Sequence, residues 1–196
     1  MQQVPNILTF LRIILAPIFV LMYLQPEFVW RSLSIAIFAM AAMTDYFDGL
    51  LARYYEVESN TGVFLDPLAD KILTFAGFIC LPFIDAQQFP IWAIAVIVVR
   101  DVFITLMRVW ADKQGSMMQT RYMAKVKTFA QMIFLYLAIL LGVFIQTDIT
   151  LGEYSRYLMD THIMKWALYV IVAITLYSGL EYVVHNRHIF KSPARE

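Results

Sequence analysis

Four aspartates stand where an apolar chain has little use for charge. Asp45 and Asp48 are three residues apart at the end of one long apolar run. Asp66 and Asp70 are four apart at the start of the next. On a helix, both spacings put the members of a pair on one face. A carboxylate in a membrane helix costs roughly 2.5–3.5 kcal/mol at the centre even on a lenient scale, so such residues mark function by default. The segment between the pairs is short, so two antiparallel helices would bring all four to one spot. Four converging carboxylates repel unless a cation sits among them. Hard oxygen donors suit Mg²⁺, Mn²⁺ or Ca²⁺, and four carboxylates can bridge two such ions.

Small residues interleave with the acids. Gly49, Ala52 and Gly62 fall between or beside them. A glycine inside a helix costs about 1 kcal/mol relative to alanine, so Gly49 calls for a reason. Close approach of a ligand or of another backbone is one; helix packing is the other. Arg53, one turn beyond Gly49, can pair with a phosphate. The chain has no Gly-x4-Gly-Lys-Ser/Thr loop and no Gly-x-Gly-x-x-Gly. Phosphate binding of the usual loop kind is therefore absent.

The elements that must carry these residues follow from composition. Of 196 residues, 61% are apolar and 15% charged, against roughly 25% charged in a soluble domain. That is too little polar surface for a water-soluble globule. The length allows one domain. Formal net charge is zero, which suggests no nucleic-acid partner. The single cysteine, Cys80, permits no intrachain disulfide and no cysteine-based zinc site.

A helical span needs about 20 mostly apolar residues. Six segments qualify: 5–24, 29–54, 66–84, 91–110, 122–145 and 165–185. The breaks at 25–27, 56–62, 85–90, 112–120 and 147–161 are polar or carry proline. The runs are too long and too little alternating for strands. The chain start lacks the features of a signal peptide. Lys and Arg concentrate on one side, at Arg53, Lys113, Arg121, Lys125, Lys127, Arg187, Lys191 and Arg195. That side, with both termini and the acidic window, is expected to face the cytoplasm. Trp30, Trp92, Trp110 and Trp166 fall near span ends, as aromatic belts do.

The acidic window reads Asp45-x2-Asp48-Gly49-x2-Ala52-Arg53-x8-Gly62-x3-Asp66-x3-Asp70. On these eight residues the chain resembles the CDP-alcohol phosphatidyltransferase family, matching its signature at every fixed position. The resemblance implies an all-α integral membrane protein with the six-transmembrane-helix CDP-alcohol phosphotransferase fold. Residues 1–196 would form a single catalytic domain, as a homodimer. It also implies Mg²⁺ (or Mn²⁺), two ions per site, and transfer of a phosphatidyl group from CDP-diacylglycerol to an alcohol with release of CMP.

Further segments resemble the bacterial branch that makes phosphatidylglycerophosphate. These are Val4-Pro5-Asn6-Ile7-Leu8-Thr9-Phe10-Leu11-Arg12, Thr44-Asp45 and Leu65-Asp66-Pro67-Leu68-Ala69-Asp70-Lys71. Ala124-Lys125-Val126-Lys127-Thr128 with Gln131-Met132, and Tyr177-Ser178-Gly179 with Tyr182, extend the likeness. The implied acceptor is glycerol 3-phosphate and the implied location a bacterial inner membrane, multi-pass, with the site at the cytoplasmic face. Two departures touch the acceptor. Arg100-Asp101 stands where that branch has Arg-Glu and is reminiscent of cardiolipin synthases, whose acceptor is phosphatidylglycerol. Ala124 replaces a glycine.

By the same resemblance, Asp45, Asp48 and Asp66 hold metal, with Asp70 shared. Asp70 is also the base for the acceptor hydroxyl. Asn6, Thr9, Asp45, Gly49, Ala52, Arg53, Ser59 and Gly62 would bind the CDP donor. A dianionic acceptor needs a basic pocket, for which Arg100, Arg108, Lys125 and Lys127 are the candidates. Lysines at 125 and 127 also satisfy the positive-inside pattern. Arg100 interrupts an apolar run, and Asp101 is one carboxylate that could pair with it. A divalent-cation transporter is the contrasting expectation, but transporters place such acids near the midplane in paired repeats. Here the acids lie towards one face and no repeat is visible. His162, His185 and His188 receive no role.

Overall fold

The computed structural model describes residues 4–55, 62–114 and 122–186, with side chains described for 11–43, 71–111, 114 and 123–186. Among them the chain is all-helical: α1 Val4–Tyr23, α2 Phe28–Tyr55, α3 Gly62–Ile84, α4 Ile91–Lys113, α5 Tyr122–Phe144, α6 Thr150–Asp160 and α7 Ile163–His185. Long apolar segments form helices because a helix satisfies its own backbone polar groups, which lipid cannot do. Each of the six expected segments is helical. Two expectations need correction. The 147–161 break contains a seventh helix, α6. It is short and polar, so a criterion of about 20 apolar residues passes over it. The third segment opens at Gly62 rather than at Asp66, because a helix start needs no apolar residue.

Two helices, α5 over Met123–Phe144 and α7 over Ile163–His185, are long and apolar enough to cross a membrane. Shorter apolar stretches lie in α1, α2 and α3, at Leu11–Tyr23, Phe28–Met43 and Lys71–Ile84. In α4, Arg100, Asp101 and Arg108 interrupt an otherwise apolar sequence.

One core runs through the bundle. Phe19 of α1 meets Phe38 of α2, with ring centres 4.7 Å apart, and Tyr23 stands beside Phe19. Phe78 and Leu81 of α3, Ile97 of α4, Leu135 and Ile139 of α5 and Leu168 and Val172 of α7 complete it. α1 packs on α2 and α3, α3 on α5, and α7 on both α4 and α5. Gly77 allows the α3–α5 approach: a Cβ there would stand 2.9 Å from a Leu135 methyl. The outer surface is apolar too. Ile14, Leu21, Met40, Phe83, Val99, Phe103, Phe129, Val170 and Leu180 are all exposed. So many large apolar side chains facing outward suit lipid better than water.

At one end of the bundle, polar side chains close the connections. Arg31 Nε donates to the Tyr23 and Gln25 carbonyls, both at 3.1 Å. Arg156 Nη1 donates to those of Ile145 and Thr147 at 3.1 and 3.0 Å. Both arginines serve carbonyls that a helix C-terminus leaves open. Asp85 Oδ1 accepts from the Gln87 and Gln88 backbone N–H groups at 2.7 and 3.2 Å, closing the α3–α4 turn. Buried Gln88 donates to the Met159 carbonyl and lies 2.6 Å from His162 Nδ1. His162, with φ 58°, is in the left-handed region that lets α6 stop and α7 begin.

Candidate functional site

The opposite end carries the residues that the sequence singles out. Asp45, Asp48, Gly49, Ala52 and Arg53 fall in α2, and Gly62, Asp66 and Asp70 in α3. Asn6 and Thr9 fall in α1. The side chains of all these residues, and Ser59 entirely, lie outside the described residues. At the level of helices, α2 and α3 are in contact and α1 touches both. The two acid pairs are thus carried on packed neighbours, three and four residues apart along continuous helix.

Lys71 follows Asp70 directly on α3. Lys71 lines a cavity of about 520 Å³ between α3, α4, α5 and α7. Arg100 and Arg108 of α4 and Lys125 and Lys127 of α5 line it as well. The four candidate acceptor residues therefore share one space, although 27 positions separate the first from the last in number (100 and 127). Lys71 joins them. The signal for it was present in the sequence, a cation inside an apolar run directly after an acidic motif.

The floor of the cavity is an ion cluster. Asp101 and Lys127 are each 2% exposed. Lys127 Nζ pairs with Asp101 Oδ1, and Arg100 Nη1 donates to the same oxygen at 3.0 Å. Lys71 Nζ stands 3.5 Å from Asp101 Oδ2. A buried charge is tolerable only with close partners, and Asp101 has three. Lys127 is thus not only a lysine at the membrane surface. It is a buried cation held by a buried anion.

α7 braces the cluster from the far side. Arg100 Nη2 donates to Ser178 Oγ at 3.0 Å. Ser178 Oγ in turn donates to the Thr175 carbonyl at 3.0 Å, and Gln131 Nε2 donates to Thr175 Oγ1 at 3.2 Å. Gly179 makes room for the guanidinium: a Cβ there would stand 3.0 Å from Arg100 Nε. Nearer the mouth, Arg108 Nε donates to Tyr182 OH at 3.4 Å and its guanidinium lies 5.8 Å from that ring's centre. Lys125 is exposed.

Among the described residues, five cations and one carboxylate thus line a single cavity. Such a cavity attracts anions, and its lining of Lys and Arg side chains suits a phosphate, which takes hydrogen bonds on several oxygens.

Similarity to known proteins runs along most of the chain. A family model described as CDP-alcohol phosphatidyltransferase matches residues 2–177. A Sodalis glossinidius protein named CDP-diacylglycerol--glycerol-3-phosphate 3-phosphatidyltransferase is 34% identical over 193 residues, covering 95% of this chain and 96% of its own length. Proteins of the same name from Pectobacterium atrosepticum and Bacillus subtilis are each 32% identical. They cover 97% and 98% of this chain, and 98% and 99% of their own lengths. With a match that runs almost from end to end, this chain belongs to the CDP-alcohol phosphatidyltransferase family.

Proposed function

We infer that this chain transfers the phosphatidyl group of CDP-diacylglycerol to sn-glycerol 3-phosphate, giving phosphatidylglycerophosphate and CMP. The observation that supports the acceptor is the basic cavity lined by Lys71, Arg100, Arg108, Lys125 and Lys127. The names of the near-full-length relatives support the same reaction.

The donor set fits a hard divalent ion. Asp45, Asp48, Asp66 and Asp70 offer carboxylate oxygen alone, on two helices in contact, with no sulfur in the signature. Among the described residues no group of three or more His, Cys, Asp or Glu side chains competes with them. These four would hold Mg²⁺ or Mn²⁺, two ions in our proposal. Ions bound there would neutralise the donor's pyrophosphate and the charge that develops on CMP.

The chain's own residues do the rest. Gly49, Ala52 and Gly62 leave space for the cytidine nucleotide, and Arg53, Ser59, Asn6 and Thr9 bind it. Arg100, Arg108, Lys125 and Lys127 hold the acceptor phosphate. A hydroxyl oxygen of glycerol 3-phosphate forms a bond to the β-phosphorus of the donor. The bond from that phosphorus to the bridging oxygen breaks, and CMP leaves with the oxygen. The hydroxyl proton passes to a carboxylate oxygen of Asp70.

For the setting, we propose one catalytic domain over residues 1–196, with α1 to α5 and α7 as six membrane spans. The shortest of these, α1, has 20 residues, about 30 Å of helix at about 1.5 Å per residue. The Lys and Arg distribution supports a cytoplasmic face for the site, and the resemblance to bacterial enzymes supports an inner membrane. The homodimer is carried over from the family.

The test is CMP release by purified protein in detergent with CDP-diacylglycerol and Mg²⁺. Parallel samples hold glycerol 3-phosphate, phosphatidylglycerol, serine, inositol phosphate or no acceptor, with Asp70→Asn as control. Release driven by glycerol 3-phosphate and lost in the variant is expected. Release driven only by phosphatidylglycerol would move the assignment to cardiolipin synthesis. No release from folded protein with any acceptor would overturn the reading.

A further inference from the structure

The floor of the cavity poses a question of sign. A site for a dianion gains from each cation that lines it and loses from each anion. Yet Asp101 lies in that floor, 2% exposed, with both oxygens engaged. Its Oδ1 accepts from Lys127 and from Arg100, and its Oδ2 faces Lys71. The three cations come from α5, α4 and α3, so one carboxylate ties three helices together. A fourth is added through Arg100, whose Nη2 donates to Ser178 Oγ of α7 at 3.0 Å.

We propose that Asp101 is a positioning residue for the acceptor. This rests on the acceptor reading given above. Asp101 touches neither the phosphate nor the reacting atoms. It holds Lys71, Arg100 and Lys127 in one constellation before the acceptor arrives. Lys and Arg side chains are rich in rotamers, and ordering them in advance removes that cost from binding. The link to α3 adds register. Lys71 follows Asp70 directly, so the carboxylate that gathers the acceptor cations also anchors them to the helix of the proposed base.

Charge alone and positioning disagree in direction. By charge alone, Asp101→Asn removes an anion from an anion site, so it should lower the KM for glycerol 3-phosphate. By positioning, it releases three cations and raises that KM.

The experiment is steady-state CMP release by the full chain in detergent with Mg²⁺, varying each substrate in turn. Expected for Asp101→Asn is a KM for glycerol 3-phosphate raised about tenfold or more, with the KM for CDP-diacylglycerol within about twofold. Asp101→Glu, which restores the charge, is expected to recover most of the loss. An unchanged or lowered KM for glycerol 3-phosphate in Asp101→Asn would overturn the proposal and leave the acceptor reading standing. Should that variant not fold, Ser178→Ala decides, because it loosens Arg100 without changing any charge. A selective rise of about threefold is expected, and no rise would overturn the proposal. A wild-type chain that ignores glycerol 3-phosphate would remove the acceptor reading and this proposal with it.

Discussion

The two ends of the bundle put polar side chains to different uses. At the connection end, Arg31, Arg156 and Gln88 reach backbone carbonyls of Tyr23, Gln25, Ile145, Thr147 and Met159. At the cavity end, Lys71, Arg100 and Lys127 reach one another's shared carboxylate, with about 520 Å³ of space beside them. The first arrangement is demanded by the fold, since helix ends leave carbonyls open and a membrane supplies few donors. The second serves no backbone group. Charge gathered where the backbone does not need it is charge available to a ligand.

That contrast predicts which substitutions affect turnover and which affect only stability. The largest effect is expected from Lys127→Met, which leaves Asp101 short of a buried partner. Breaking such a pair costs about 3–5 kcal/mol. The thermal midpoint in detergent should fall, and glycerol 3-phosphate-dependent CMP release should be lost as well. Arg108→Ala comes next. It removes a charged donor from the cavity without opening the buried floor. The KM for glycerol 3-phosphate should rise about 10- to 100-fold, equivalent to about 1.5–3 kcal/mol, with little change in thermal midpoint.

At the connection end, Gln88→Ala strips a buried donor from the Met159 carbonyl and from His162. Stability should fall by about 1–3 kcal/mol, read as a lower thermal midpoint, while turnover per folded molecule stays at the wild-type value. A raised acceptor KM in this variant would break the division between the ends. The smallest effect is expected from Arg156→Ala, at about 1 kcal/mol of stability and no change in either KM.

Much of the fold was legible because lipid makes a simple demand. Runs of apolar residues had to be helices, and α1 to α5 and α7 fall where the runs do. α6 was not legible in that way. Its 11 residues are too few and too polar to register as a span. Among site residues, the acidic signature was visible from spacing alone, because i, i+3 and i, i+4 are neighbours on any helix. Arg100 and Asp101 were visible as charges in an apolar run, but their surroundings were not. Nothing local connects Asp101 to Lys127, 26 positions on, or to Lys71, 30 positions back.

The amino-acid sequence by itself determined the solvent, the helices and the acidic signature. The first two depend on composition, and the acid pairs of the third on separations of three and four residues along one helix. The tertiary structure alone decided that Lys71 joins Arg100, Arg108, Lys125 and Lys127 around one cavity, and that Asp101 holds three of those five. Those meetings depend on how α3, α4, α5 and α7 are rotated against one another. That rotation brings Gly77 against Leu135 and Gly179 against Arg100, joining residues that no local spacing relates.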